Sequence, residues 1–277
     1  MRKTKFKKRY KITINGRFAE MKELINPFVK KYGKPVLVHS TPNKKLFFKI
    51  LDDGKLMVPR HAGPIKHSYI ERLFGIYPCV FFSLGFVYAS SYDFKYSFIF
   101  DLDYVKNFDY YKNSISYQCY KAIVKYWDEH DPEYMKKLAS KNKSCKETVH
   151  DFYNKKYLGE TKRIFDFWKA EKETYELFLK YPRKNEVMKI MKKILDEKYC
   201  PYPKSKKVAM EQINEDSAPE IIVKRDVELK KEKHFLGFYI RGKIPVEIKR
   251  RLVEEYPDKI VYNGKRIMNV GELKEKR

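Results

Sequence analysis

The sequence lacks any apolar run long enough to cross a membrane. Its uninterrupted apolar stretches, such as residues 79–82, fall far short of the roughly 20 residues that a membrane-spanning helix needs. Residues 1–9 are basic, but no apolar stretch follows them, so we expect no secretory signal. These absences predict a cytoplasmic protein that has no membrane partner.

Cysteine is scarce, and its spacing argues against both a disulfide framework and a zinc site. The chain contains Cys79, Cys119, Cys145 and Cys200. They lie far apart and show no paired spacing, so we expect reduced thiols and no disulfide framework. His39, His61 and His67 precede Cys79, but their spacing matches no zinc-binding signature. The sequence therefore predicts no metal site.

Several common catalytic and nucleotide-binding motifs are also missing. The chain has no GxxxxGK[ST] phosphate loop, no GxGxxG dinucleotide motif and no HExxH or CxxC metal motif. It has no GxSxG nucleophile motif either. There is no internal repeat and no low-complexity linker that would mark a domain boundary.

Positive charge is abundant. The chain carries 61 Lys and Arg against 36 Asp and Glu, a net charge of +25 in 277 residues. Such a field attracts polyanions, and nucleic acid is the leading candidate partner. A Lys-rich and Glu-rich surface also occurs in heat-stable proteins, but there the two signs are balanced. The 23 tyrosines offer flat rings on which bases can stack, although most aromatic residues serve packing.

The order of periodic segments predicts one α+β domain. Strand-like segments fall within residues 34–105 and 217–262, and helical stripes fill residues 113–200 between them. We interpret the middle part as a helical insertion whose outer faces are rich in lysine. The predicted fold is a single α+β domain, residues 1–277, that carries this insertion.

Individual elements are predicted from local patterns. Residues 97–105 alternate and predict one strand, and residues 56–59 predict a short extended segment. Ser68 and Glu71 form a capping box for a helix that ends at Gly75. Pro245 is expected at the first position of a helix, and residues 259–262 are expected to form the last strand.

Polar residues follow or head several apolar runs. The run at residues 35–38 ends on His39, Ser40 and Thr41, and the run at residues 79–82 ends on Ser83. Ser90, Ser91 and Tyr92 come shortly afterwards, and Glu220 heads a late β-branched run. Polar groups at the ends of buried strands commonly line a cleft, so these segments predict one.

Taken together and in this order, these segments resemble the ADP-ribosyltransferase fold, most closely the DNA-modifying toxins of the DarT type. Residues 38–41 (VHST) resemble the first motif of that fold, and residues 75–83 with residues 90–92 resemble the second. Residues 218–223 (APEIIV) resemble its acid strand, including the Asp-Val pair soon after. Phe81 stands where a Tyr is common, and Ala218 stands where arginine-modifying members carry a second acid.

The resemblance implies a split β-sheet, NAD as substrate and a set of site residues. The implied cofactor-binding residues are His39, Ser40, Thr41, Arg60, Phe82, Ser83 and Tyr92. His39 would hydrogen-bond a ribose hydroxyl, Tyr92 would stack on the nicotinamide, and Arg60 would neutralise the pyrophosphate. Glu220 and His39 would be the catalytic pair, with the Glu220 carboxylate stabilising the positive charge that develops on the ribose.

The expected function is NAD-dependent transfer of ADP-ribose to DNA or RNA, because the charge of the chain favours a polyanionic acceptor. A role in toxicity or antiviral defence, with an antitoxin or regulatory protein as partner, is implied by the resemblance alone. Two alternatives stay open. One is an RNA 2′-phosphotransferase, which shares the fold and the use of NAD. The other is a basic nucleic-acid-binding protein without enzymatic activity.

Overall fold

A computed structural model describes residues 25–41, 43–58, 72–75, 79–85, 95–105, 110–111, 115–141, 161–200 and 220–273. Its helices are α1 (25–32), α2 (Lys44–Asp53), α3 (Ile115–His130), α4 (Pro132–Lys141), α5 (Thr161–Leu179), α6 (Lys184–Lys198) and α7 (Val246–Glu255). Its strands are β1 (Val36–Thr41), β2 (Lys55–Leu56), β3 (Val80–Leu84), β4 (Tyr96–Asp101), β5 (Tyr110–Tyr111), β6 (Tyr199–Cys200), β7 (Glu220–Val223), β8 (Val227–Glu228), β9 (Phe235–Ile240), β10 (Ile260–Tyr262) and β11 (Ile267–Asn269).

Most strands join one mixed sheet, and the fold is α+β, as the order of elements predicted. The strand order is β11-β10-β9-β4-β1-β3-β7-β5-β6, and β2 and β8 form a separate pair. Only β9 and β10 run parallel, and the other described neighbours are antiparallel. The two strands nearest the centre, β1 and β4, are buried along most of their length.

The two faces of the sheet are covered by different elements. Successive side chains of a strand point to opposite faces. The face that carries Leu37 and His39, called the histidine face below, packs against α2 and α7 through residues such as Phe47 and Leu252. The opposite face carries Val38 and Ser40 and is called the serine face. Over β1, β4, β9 and β10 it packs against α1.

Helices α3 to α6 form a second core of their own. Trp127, Leu138 and Met191 are fully buried in it. Phe81 of β3 and Ile222 of β7 pack against the same cluster, so these helices cover the serine face over β3 and β7. The serine face is thus covered by α1 over β1 and by α3 to α6 over β3 and β7. The boundary between these two covers falls between β1 and β3.

Local signals explain the boundaries of α2, which follows β1 directly. The Asn43 side chain accepts a hydrogen bond from the Leu46 amide at 2.9 Å and caps the helix. Gly54 ends it in the left-handed conformation, with φ of 66°, which glycine adopts without steric cost. The cap and the stop therefore place α2 on the histidine face directly after His39, Ser40 and Thr41.

Several predicted boundaries differ from the structure. The strand expected over 97–105 is β4, which ends at Asp101 because the chain turns there into a 3-10 helix, Leu102–Val105. The Asp101 side chain accepts a hydrogen bond from the Asp103 amide at 2.7 Å and stabilises that turn. Pro245 is the cap residue and α7 begins at Val246.

Two further expected elements differ from the structure in position or length, and a third lies outside the described residues. Residues 259–262 do not form the last strand, because β11 follows and pairs with β10. Of the segment expected over 56–59, the structure describes residues 56–58, and among these only Leu56 is in a strand. The capping box of Ser68 and Glu71 lies outside the described residues. Among the residues that are described, no helix has the length and apolarity needed to span a membrane.

Candidate functional site

Three strands that carry the polar residues of interest are neighbours in the sheet. Ser40 lies on β1, Ser83 on β3 and Glu220 at the start of β7, and these strands are consecutive in the order β1-β3-β7. Val38 lies opposite Ser83, and Ser83 lies opposite Glu220. Since neighbouring strands are about 4.8 Å apart, the backbones of β1 and β7 are about 10 Å apart at this level.

The ladder between β1 and β3 is short. It comprises the pairs Leu37–Leu84 and Val38–Ser83, followed by a hydrogen bond from the Gly85 amide to the Val36 carbonyl at 2.8 Å. Toward Thr41 and Val80 the two strands run on without register pairs, whereas β1 pairs with β4 over all six of its residues. The backbone ladder between β1 and β3 is therefore interrupted beyond Val38, although both strands belong to one sheet. This interruption lies between the two apolar covers of the serine face and is called the split below.

Side chains replace the missing ladder bonds at the edges of this split. The His39 Nδ1 lies 2.8 Å from the Phe81 carbonyl oxygen. The Ser83 hydroxyl donates to the Val38 carbonyl at 3.2 Å. Both bonds cross from one strand to the other. The His39 bond lies beyond the last register pair, so it holds the strands together where the ladder does not.

A row of hydroxyl groups crosses the serine face at this position. Ser40 and Ser97 lie opposite each other on β1 and β4, and their hydroxyl oxygens are 2.9 Å apart. Ser97 is buried, while Ser40 and Ser83 are half-buried. By its register with Ser83, Glu220 occupies a position of the same face. Ser83 and Glu220 are level with Val38, two residues along β1 from the Ser40–Ser97 pair. Hydroxyl groups on one face can bond the hydroxyl and amide groups of a nucleoside.

His39 belongs to the other face. Its half-buried ring packs against Phe82, with centroids 5.9 Å apart, and against Phe98 at 6.5 Å. Burial lowers the pKa of His39 below its ordinary value, and the bond to the Phe81 carbonyl offsets this only in part. The neutral ring donates from Nδ1, because a carbonyl can only accept. Nε2 is then left as a hydrogen-bond acceptor.

Two of the expected cofactor-binding residues have buried side chains, and their role in binding stays a prediction. Phe82 is 1% exposed and packs edge-on against Phe100, with centroids 5.1 Å apart. Thr41 is fully buried, and its hydroxyl donates to the Tyr96 carbonyl at 3.0 Å. Neither side chain has surface for a ligand, because both face the core of the histidine side.

Arg60 and Tyr92 lie outside the described residues. The segment that leads toward Arg60 is nevertheless anchored near β7. The Val58 amide donates to the Asp226 carboxylate at 2.8 Å, and Lys55 forms an ion pair with Asp226 at 3.6 Å. Asp226 thus links residues 55–58, which follow α2, to the turn after β7.

The chain matches no protein-family model, no curated protein and no solved structure. Its site is therefore argued from its own geometry.

Two further residues border the site, and no pattern in the sequence indicated them. Ser97 completes the hydroxyl pair, and Tyr111 of β5 lies opposite Glu220 on its other side. Ser97 heads an alternating segment, so its face could be assigned only once its partner on β1 was known. Among the described residues, no group of His, Cys, Asp and Glu side chains could hold a metal ion.

Proposed function

We propose that this protein transfers ADP-ribose from NAD to a nucleic acid, on a split sheet of the ADP-ribosyltransferase type. One observation carries the proposal. The three segments that resemble the motifs of that fold lie on three consecutive strands, with Ser83 directly opposite Glu220, beside a split in the sheet. The second and third of these segments are more than 130 residues apart in the chain, so their adjacency is independent of the sequence resemblance.

The proposed binding mode follows from the donors and acceptors at the split. The nicotinamide end of NAD lies on the serine face, where the Ser40 and Ser83 hydroxyls are half-buried and able to bond an amide or a ribose hydroxyl. The neutral His39 accepts a hydrogen bond from a ribose hydroxyl through Nε2. A ligand in the split borders both faces, because no ladder closes β1 to β3 beyond Val38.

The proposed chemistry is displacement of nicotinamide. The bond between the ribose C1′ and the nicotinamide nitrogen breaks, and nicotinamide leaves with the electron pair. Positive charge then develops on the ribose, and the Glu220 carboxylate stabilises it. An oxygen or nitrogen of the acceptor forms the new bond to C1′, and its proton passes to Glu220.

The acceptor is a nucleic acid in this proposal because the chain carries a net charge of +25. A polyanion is attracted to such a field over distances of about 10 Å at moderate ionic strength. A protein acceptor would gain less from it, since most protein surfaces carry both signs.

Glu220→Gln tests the chemistry. We expect the variant to lose transfer by at least about a hundredfold while its affinity for NAD stays within about tenfold, because the amide keeps the shape and loses the charge that the transition state uses. The measurement is transfer of label from NAD to separate pools of DNA, RNA and protein, with NAD binding followed by calorimetry.

Glu254→Gln is the matched control. Glu254 is exposed on α7, and its substitution removes the same charge at a position outside the candidate site. Full activity of Glu220→Gln would refute the role of Glu220. Loss of a 2′-phosphate from RNA with NAD present would instead identify a phosphotransferase. Nucleic-acid binding without any consumption of NAD would identify a binding protein.

A further inference from the structure

Five basic residues cluster at one end of the large sheet. Lys95 directly precedes β4, Arg241 and Lys243 follow β9, and Lys265 and Arg266 lie in the turn between β10 and β11. All five are exposed. We call this set the cationic edge.

Backbone hydrogen bonds join the three turns that carry the cationic edge. The Arg241 amide donates to the Lys95 carbonyl at 2.9 Å, and the Gly242 amide donates to the Asn263 carbonyl at 3.0 Å. The Asn263 side chain accepts from the amides of Lys265 and Arg266, both at 3.0 Å. The turns are thus one connected structure, which fixes the relative positions of the backbone that carries these cations.

Acidic residues are missing from the turns after β9 and β10. Residues 241–246 and 263–267 contain no Asp or Glu, and the next acid along the chain, Glu247, is bonded to Lys44. Within the described chain, no ion pair engages Lys243, Lys265 or Arg266. By contrast, Lys34 pairs with Asp101 at 2.8 Å on another part of the surface.

The cationic edge lies at the end of the sheet toward which the split opens. Tyr96, the residue after Lys95, is opposite Thr41 at the end of β1, and Ser97 follows. Lys95 is therefore two residues, or about 7 Å, from the hydroxyl pair of Ser40 and Ser97. Counting three strand spacings and four residues, Glu220 lies about 20 Å from Lys95.

We propose that the cationic edge binds the phosphodiester backbone of the acceptor nucleic acid and directs it to the split. The inference rests on the proposed function and adds the surface that holds the acceptor. From β4 to β10 the edge spans two strand spacings, about 10 Å, which is wide enough to contact more than one phosphate of a strand. Arginine at this edge suits phosphate because its planar fork donates two parallel hydrogen bonds.

A charge-neutralising triple variant tests the edge. We compare Lys243→Gln, Lys265→Gln, Arg266→Gln with a control triple, Lys184→Gln, Lys189→Gln, Lys192→Gln, which removes three exposed charges from α6. Fluorescence anisotropy measures binding of labelled 20-nucleotide DNA and RNA strands at several salt concentrations, without NAD. Far-UV circular dichroism and thermal unfolding establish that both variants are folded.

We expect the edge triple to weaken binding at least about tenfold near 0.1 M salt and to reduce the slope of log K against log salt by about 2. Each phosphate contact of a single strand contributes about 0.7 to that slope. The control triple should change affinity by less than about threefold. Equal losses in both triples, or no loss in the edge triple, would overturn the proposal.

The DNA and RNA arms show which backbone the edge prefers, and a poly-glutamate competitor tests the class of partner. Competition by poly-glutamate at the same charge concentration as nucleic acid would overturn the assignment to nucleic acid. The binding assay contains no NAD, so its outcome does not depend on the chemistry. A wild-type protein that never cleaves NAD but loses strand binding in the edge triple would refute the transferase and keep the nucleic-acid site.

Discussion

At the scale of single residues, His39 differs most from its expected role. Its Nδ1 holds the Phe81 carbonyl, and its ring packs among Phe82 and Phe98. It therefore positions β3 relative to β1 as well as offering Nε2 to a ligand. The sequence indicated a functional imidazole but not that one of its nitrogens is used to hold the split.

The pH dependence of stability tests the neutral state of His39. Because burial lowers its pKa in the folded state, the unfolded chain binds a proton near pH 6.5 that the folded chain rejects. The contribution of neutral His39 is present above pH 6.5 and is lost as the pH falls below it. We expect His39→Asn, which keeps a donor for Phe81, to flatten the fall in unfolding free energy between pH 7 and pH 5.

Urea denaturation at a series of pH values measures this slope, which one such group can raise by up to about 1.4 kcal/mol per pH unit. An unchanged slope in the variant would mean that His39 titrates alike in both states.

The sequence predicted the positions of the candidate site residues, but not the face of the sheet on which each side chain lies. Ser40 and Thr41 are adjacent in one predicted triplet, yet Ser40 is half-buried beside the split and Thr41 is fully buried. Alternation alone puts them on opposite faces, and only the packing of α1 and α2 decides which face is open. Phe82 was expected to bind the cofactor, but its position on the packed histidine face buries its side chain.

At the scale of elements, the close pairing of β9 and β10 depends on one glycine. Gly237 has φ of 150° and lies opposite Ile260. A Cβ built there would lie 1.9 Å from the Ile260 carbonyl oxygen, which is a severe clash with backbone.

We therefore expect Gly237→Ala to lower the free energy of unfolding by about 2–3 kcal/mol, through forced separation of the two strands. Gly271→Ala is the matched control, since its Cβ would meet the Pro257 carbonyl at 3.3 Å and needs only a small adjustment. Chemical denaturation measures both. Equal, small losses would show that β10 moves freely away from β9.

The elements themselves were predictable in proportion to their length. Long periodic segments such as α3 and α6 were expected, since their apolar stripes alone define them. The two-residue strands β5 and β6 were not expected, because Tyr110 and Tyr199 become strand residues only through pairing with distant chain. The strand order of the sheet also depends on contacts between distant segments, so no local pattern could give it.

At the scale of the whole molecule, the helices α3 to α6 and the sheet share apolar contacts. Phe81 and Ile222 pack against the helical core, and Cys79, before β3, is buried in it. Amino-acid composition correctly predicted a large core and a basic surface, but not this sharing, which requires the register of β3 with β7.

We expect the sheet and the helical segment to unfold in one transition, because separating them would expose these shared side chains. Both tryptophans, Trp127 and Trp168, lie in the helical segment, so their fluorescence reports that part alone. Hydrogen exchange of peptides from β4 and β9 reports the sheet. Midpoints that differ between the two probes would show that the helical segment unfolds by itself.

The short ladder between β1 and β3 also determines where the molecule can deform. Twisting one half of the sheet against the other strains few backbone bonds at this seam, whereas the six paired residues of β1 and β4 resist the same motion. The sheet is thus most easily deformed between Ser40 and Ser83. Under the function proposed above, a bound dinucleotide would bridge β1 and β3 at this place and so stiffen the sheet.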